Sequence, residues 1–266
     1  MPDVYFCEII DNTLLTDDVY SVTLLCRELA TKAVAGQFIH VKCGEARILR
    51  RPISICSVYG VHHIHRDKIN IVFEAKGEGT RWLSERSPGE MLDVLGPLGN
   101  GFVMPAGKLL VVGGGVGTPP MLFAAQSAKN GVSAILGFRN LSRVILIDEF
   151  KAVCDDVIVT TDDGSMGIHG AVTGPLEMLL KSGEYDAVMS CGQLLMQEAV
   201  AKLCAKYGVS CQVSLEERMG CGVGACLVCA CATKSDGNLQ MSRACLDGPV
   251  FDASKVIWNN EMEMKS

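Results

Sequence analysis

Five of the chain's 13 cysteines crowd into 25 residues, from Cys221 to Cys245. Four of them follow the spacing C-x4-C-x2-C, then fifteen residues, then C: Cys221, Cys226, Cys229 and Cys245. From about Leu215 onward apolar periodicity stops and the segment is rich in Gly and Cys. Burial alone cannot hold so small a unit, so a metal centre is the expected organiser. Met1-Pro2-Asp3-Val4 shows no basic n-region and no apolar h-region. The expected setting is therefore cytoplasmic, where thiols stay reduced and disulfides are rare. Two irons bridged by sulfides need four thiolates, and this spacing is that of plant-type [2Fe–2S] sites. Gly222, Gly224 and Ala225 let backbone N–H groups approach sulfur, which stabilises the reduced, more negative cluster. A four-cysteine zinc site is the alternative, but zinc favours paired short spacings. Cys231, two residues past Cys229, has no obvious position in such a cluster and reads as a bystander.

The 266-residue chain is long enough for two further domains besides this segment. Apolar residues make up 48% and charged residues 20%, which excludes general disorder. A net charge of -6 argues against nucleic-acid binding and a polybasic membrane-surface role. Leu109 to Ala128 carries no charge, but six Gly and Pro residues in its first twelve positions make it a poor membrane span. The expected division is a β-barrel over 1–103, a parallel-sheet α/β unit over 104–213 and a small cluster unit over 214–266. Short strands at 19–25, 37–42, 69–73 and 91–95, punctuated by turns, indicate an antiparallel barrel. A short helix is expected over 80–85. Apolar runs at 108–112, 133–138, 156–160 and 186–190 alternate with helical stretches at 119–129 and 194–207, as in a Rossmann-like fold.

Gly113-Gly114-Gly115-Val116-Gly117-Thr118-Pro119-Pro120 follows an apolar strand and precedes a helix. Glycine lets the backbone approach a pyrophosphate, and a helix N-terminus favours anions. Gly113, Gly115, Gly117 and Pro120 are the candidate nucleotide contacts. Asp162, after the next-but-one strand, would accept from an adenosine ribose hydroxyl and repel a 2′-phosphate, which favours NAD over NADP, although an ordinary solvated turn is the alternative. Cys191, after a later strand, is a candidate near the nicotinamide, although such a cysteine can equally be core filler. In the barrel, Arg51 and Ser54 of Arg51-Pro52-Ile53-Ser54 are expected on one face of a strand, where they could contact a phosphate and a flavin. Lys76-Gly77-Glu78-Gly79-Thr80 enters the short helix and could supply a second phosphate contact, although taken alone either motif can equally be structural.

These three blocks together resemble the ferredoxin-reductase superfamily. More narrowly, the chain resembles the electron-transfer subunits of dihydroorotate dehydrogenase B along nearly its whole length. The most specific strings are Arg50-Arg51-Pro52-Ile53-Ser54-Ile55, Asp93-Val94-Leu95-Gly96-Pro97-Leu98-Gly99-Asn100-Gly101-Phe102, and the cysteine loop followed by Cys245-Leu246-Asp247-Gly248-Pro249-Val250-Phe251. The resemblance implies FAD along Arg51, Pro52, Ile53 and Ser54, lined by Val72, Phe73 and Glu74, with Gly79 and Thr80 at its pyrophosphate. It implies [2Fe–2S] on Cys221, Cys226, Cys229 and Cys245, and NAD at the glycine loop. Ile53 departs from the tyrosine that many reductases of the superfamily carry there.

The resemblance further implies an FMN-containing dihydroorotate dehydrogenase catalytic subunit as partner, in a heterotetramer of two subunit types serving pyrimidine biosynthesis. Electrons would pass from that FMN through the cluster and FAD to NAD+. No acid–base catalytic residue is expected in this chain. The same conduit in another complex, a hydrogenase gamma subunit or a ferredoxin-NADP reductase subunit, is the alternative, and a zinc-containing interaction module is a rival of another class. His62, His63 and His65 resemble a metal patch, but an exposed hairpin is expected there. Trp258 is expected to pack against the last domain, and Glu261 to Ser266 to form a solvated tail.

Overall fold

The computed structural model describes residues 2–60, 66–235 and 237–258. The His62, His63 and His65 patch and the 261–266 tail lie outside them. Six strands close an antiparallel barrel: β1 (Asp3–Leu14), β2 (Val19–Leu25), β3 (Phe38–Val41), β4 (Arg51–Tyr59), β5 (Lys68–Glu74) and β6 (Met91–Leu98). Their spatial order is β1-β2-β5-β4-β3-β6. Two short helices attend it, α1 (Arg27–Lys32) and α2 (Glu78–Ser84). Successive strand side chains point to opposite faces, and the inward set includes Ile9, Val22, Leu24, Ile39, Val41, Ile55, Ile69 and Ile71, all fully buried. β1 was not anticipated. Val4 and Phe6 face outward at 53% and 72% exposure, so apolar residues stand on both faces and the alternation signal cancels.

The second half is a seven-stranded sheet in the order β10-β9-β8-β7-β11-β12-β15. Its strands are β7 (Leu109–Gly114), β8 (Val132–Phe138), β9 (Asp156–Thr161), β10 (Ile168–His169), β11 (Ala187–Cys191), β12 (Ser210–Ser214) and β15 (Val250–Asp252). All neighbours pair in parallel except β12 and β15. Helices α3 (Thr118–Ser127), α4 (Ile147–Lys151), α5 (Thr173–Ser182) and α6 (Leu194–Tyr207) accompany these strands. Leu109 to Val112 are fully buried, as a central parallel strand covered on both faces requires. The uncharged Leu109–Ala128 stretch thus divides into a strand, a tight turn and a helix. Among the described residues no helix is long and apolar enough to cross a membrane. Helix α3 packs against both β7 and β4, which joins the sheet to the barrel.

Beyond β12, residues 215–229 adopt no helix or strand. The rest is more regular than its composition suggests: β13 (Ala230–Ser235) and β14 (Asn238–Arg243) form a hairpin, and β15 adds an antiparallel edge to the α/β sheet. Trp258 is buried in the core of that sheet, with Val256 and Ala253. A separate small core holds the loop to the barrel: Phe38 and Leu98 from the barrel against Cys229, Ala244 and Cys245.

Candidate functional site

The cysteine loop turns sharply. Gly222 and Gly224 have φ of +74° and +81°, and Leu227 is a non-glycine residue at +60°. A left-handed non-glycine residue costs roughly 1–2 kcal/mol, and here it sits directly after Cys226, between two of the cysteines. These turns aim backbone N–H groups at sulfur. Val223, Ala225 and Cys226 donate to Cys221 Sγ at 3.4, 3.2 and 3.4 Å. Cys221 N–H donates to Cys226 Sγ at 3.3 Å, and Gly224 N–H to Cys245 Sγ at 3.2 Å. Cys245 N–H reaches Cys229 Sγ at 3.5 Å. Burial raises the Cys221 thiol, but donors from Val223, Cys226 and Ala225 outweigh it and bring it down to about 6. Burial and the adjacent Cys229 thiol push Cys245 the other way.

The thiols therefore fall into two pairs, Cys221 with Cys226 and Cys229 with Cys245. Among the described residues no three Cys, His, Asp or Glu side chains converge on one ion position. Two pairs of thiols with N–H donors at their sulfurs suit a binuclear cluster, in which each iron takes two thiolates. Arg243 braces the loop from outside: it pairs with Asp247 at 3.0 Å and donates to the Gly224 carbonyl at 3.3 Å. Asn100 ties the barrel to the same turn through the Leu246 and Asp247 carbonyls, at 3.2 and 3.0 Å. Cys231 faces away, buried in the sheet core with its thiol on the Ser242 carbonyl at 3.5 Å.

In the barrel, β4 carries Arg51, Pro52, Ile53 and Ser54. The register pairs Phe38 with Ser54, Ile39 with Ile53, His40 with Pro52 and Val41 with Arg51. Arg51 and Ser54 are three residues apart on a regular strand, so they face opposite sides; the expectation of one shared face is corrected. Arg51 shares its side with Ile53, and Ser54 with Pro52. The Arg51 side chain lies across the start of α2, where a Cβ on Gly79 would come within 2.5 Å of its Nε. Thr80 Oγ1 accepts from the Gly77 N–H at 3.1 Å. A guanidinium over a glycine-lined helix start suits a pyrophosphate. Val72 and Phe73 are buried at the end of β5, with Phe73 stacked on Tyr20 at 6.1 Å. The Glu74 carboxylate pairs with Lys76 at 2.7 Å and Arg143 at 3.1 Å.

A cavity of about 530 Å³ opens where barrel, sheet and cluster segment meet. Val19, Glu74 and Lys76 line it from the barrel, Gly114, Gly115, Gly117 and Asp162 from the α/β half, and Glu216 from the cluster segment. The glycines do different work. Gly115, at φ +53°, faces open space, whereas a Cβ on Gly117 would meet the Cys191 carbonyl at 2.5 Å and one on Gly113 the Thr118 backbone at 2.9 Å. Gly113 and Gly117 thus permit close packing behind the loop. Pro120 is buried in the first turn of α3, where its missing N–H costs nothing, and lies outside the lining. Cys191 is 1% exposed and lies behind the wall, while Gly192 lines it; burial pushes the Cys191 thiol up, and the Glu216 charge adds to this. Arg139, Arg143, Met196 and Glu216 also line the cavity and carried no sequence signal. Glu216 is accessible to solvent yet walled on most sides by protein; burial holds its carboxyl above the usual range, and Lys76 opposes this.

Between the cluster loop and β4 lies His40, fully buried, whose ring edges onto Phe38 at 6.3 Å. Burial, then the charges of Arg50 and Arg51, bring it down to about 4, against the nearby Cys221 backbone. Neither ring nitrogen makes a well-formed hydrogen bond, although the Cys221 backbone acts on the ring as a weak acceptor.

Residues 216–257 match the iron–sulfur cluster binding domain of dihydroorotate dehydrogenase B. The electron transfer subunit of dihydroorotate dehydrogenase B (NAD(+)) of Caldanaerobacter subterraneus subsp. tengcongensis is 38% identical over 252 residues, covering 94% of this chain and 97% of that protein. This chain belongs to that family. Its Bacillus caldolyticus member is 40% identical over 254 residues, 92% of this chain and 95% of its own. Among solved structures, one of an NADH-dependent reduced ferredoxin-NADP oxidoreductase, described for flavin-based electron bifurcation, superposes with a TM-score of 0.84 at 29% identity, over 97% of this chain and 92% of its own. The ferredoxin reductase of carbazole 1,9a-dioxygenase shares the fold, with a TM-score of 0.65 at 20% identity over 78% and 67% of the two chains. Members of the dihydroorotate dehydrogenase B family thus match the barrel, the sheet and the cysteine loop alike.

Proposed function

We propose that this chain carries electrons between an FMN-containing catalytic subunit and NAD+, within a cytoplasmic heterotetramer of two subunit types. It is the electron-transfer subunit of an NAD+-dependent dihydroorotate dehydrogenase, with FAD, a [2Fe–2S] cluster and NAD as its redox groups. A cluster handles single electrons, nicotinamide takes only a hydride, and a flavin converts between the two.

The observation that carries the reading is the pairing of four thiols under six backbone N–H donors, one barrel strand away from Arg51 and Ser54. Cys221 and Cys226 would hold one iron, Cys229 and Cys245 the other. Arg51, with Gly79 and Thr80, would clamp the flavin pyrophosphate, while Pro52, Ile53, Ser54, Val72, Phe73 and Glu74 form the wall beside it. Gly115 would present its backbone to the nicotinamide dinucleotide, Asp162 would accept from a ribose hydroxyl, and Cys191 would support the wall from behind. Residues 1–103, 104–213 and 214–266 would serve as the flavin, nucleotide and cluster units. Around the exposed Cys226 stand Val223, Leu227, Val228 and Leu246, at 44 to 63% exposure. They form the apolar rim on which the catalytic subunit would dock to bring its FMN near the cluster.

Purification with native partners, followed by cofactor analysis and absorption spectroscopy, tests this. Flavin bands with [2Fe–2S] features, FMN in the partner and dihydroorotate-dependent reduction of NAD+ are expected. A colourless zinc protein, or a complex without an FMN dehydrogenase, would overturn it.

A further inference from the structure

Phe38 and His40 stand on the outer face of β3, with Ile39 and Val41 turned into the barrel core. That outer face does two things at once. Through Phe38 it packs on Cys229 and Cys245, and through the β3–β4 register it places His40 beside Pro52 of the flavin strand. His40 is also gripped from the cluster side: a Cβ on Gly222 would fall 2.6 Å from its Nδ1 and 3.1 Å from its Cε1. The Nδ1–Cε1 edge of the ring therefore faces the residue that follows Cys221.

A fully buried imidazole whose nitrogens make no well-formed hydrogen bond, with only the Cys221 backbone as a weak acceptor beside it, is unusual. Most buried polar side-chain atoms find a hydrogen bond, and leaving one unmade costs about 1–3 kcal/mol. An apolar residue would fill this space without that cost, as Phe38 does next to it. The Arg50 guanidinium is engaged by the His40 carbonyl, to which it donates at 3.3 Å. The groups still to be supplied at this junction are those of the cofactors, and the ring edge in question faces the cluster loop.

We propose that His40 is a positioning residue for the iron–sulfur site, whose imidazole N–H donates to a sulfur of the bound cluster or its thiolates and so favours the reduced state. The proposal rests on the cluster reading of the four cysteines. A donor at sulfur stabilises added negative charge and raises the reduction potential. Since β3 pairs with β4, the same residue fixes how the cluster loop sits against the flavin strand.

The test uses the whole complex labelled with 15N-histidine, its cluster reduced anaerobically and examined by pulsed electron paramagnetic resonance. A nitrogen coupling from a non-ligating histidine is expected, and it should vanish in His40→Phe. A normal cluster signal without that coupling in the native complex overturns the proposal, whatever the variants do. Absence of any [2Fe–2S] signal would instead overturn the cluster reading itself. Redox titration supplies the second readout. In His40→Phe the reduced-to-oxidised ratio of the cluster at fixed potential should fall about tenfold, ~59 mV for a one-electron couple. His40→Gln, which keeps a donor, should recover part of this shift. An unchanged potential in a His40→Phe complex that retains its iron would reduce His40 to packing.

Discussion

The barrel and the cysteine segment of one chain are held together by different forces. The barrel closes on its own hydrogen bonds and fills its interior with Ile and Val, so its order follows from burial. Residues 215–229 have neither ladder nor apolar core of their own. Their small core borrows Phe38 and Leu98 from the barrel, and two of its other buried members are the thiols Cys229 and Cys245. Where burial builds the structure, many substitutions are tolerable if volume is kept. Where thiols and backbone donors build it, single atoms decide.

The strongest way to break this contrast is Cys229→Ser. It should abolish the cluster, with bound iron falling to background, and loosen residues 215–245 in hydrogen exchange while the barrel strands stay protected. Chelation of the iron from the native complex should reproduce the same pattern. Equal protection of the loop in both forms would show that burial, after all, holds it.

Gly117→Val tests the burial-built half. Its Cβ would meet the Cys191 carbonyl at 2.5 Å, so a strand end or the helix must shift. Overpacking of this kind costs about 1–3 kcal/mol, or several degrees of Tm, with weaker NAD binding. Gly115→Ala faces open space and bears only the strain of its φ, +53°. It should cost about 1 kcal/mol and leave the cluster spectrum unchanged. Calorimetry and NAD titration separate the two. A milder change is Asp162→Ala, which removes the carboxylate at the cavity and should narrow the preference for NAD over NADP roughly tenfold, about 1.4 kcal/mol. Steady-state kinetics with both nucleotides checks this.

What could be read from the sequence follows the same division. The run of β7, the glycine turn and α3 was legible because a fully covered strand is a continuous apolar run. Helix α6 was legible to the residue, Leu194–Tyr207. The spacing of the four cysteines is written along the chain, and the structure gathers their thiols into one loop against the barrel. What failed is what the chain writes only in three dimensions. Arg139, Arg143 and Glu216 reach the cavity from the ends of separate elements, and none stands in a motif. Cys191 lies next to the lining residue Gly192 but behind the wall, and Pro120 is buried in α3 outside the lining. His40 looks like any polar residue of an alternating strand until Gly222 is laid against it. The Arg51 and Ser54 error was one of parity, which the β3–β4 register decides.

The smallest expected effect lies on the surface of the sheet half. Glu177 of α5 meets Lys206 at 2.7 Å and the Tyr207 hydroxyl at 2.8 Å, both on α6, with Lys181 at 3.9 Å. The hydrogen bonds from Lys206 and Tyr207, then the lysine charges, hold its carboxyl down to about 2. A carboxyl depressed in the folded state stabilises above its unfolded value, near 4.5, and that contribution is lost as pH falls through the folded value. Glu177→Gln should therefore lower Tm slightly at pH 7, with the gap to the native protein narrowing as pH falls from about 4.5 toward 2. High salt should shrink it as well, because these groups are exposed and screened. The variant should leave the cluster's visible circular dichroism unchanged at neutral pH. A change there would mean that the α5–α6 surface and the cysteine loop communicate through β15, and that the two regions are less separate than their packing indicates.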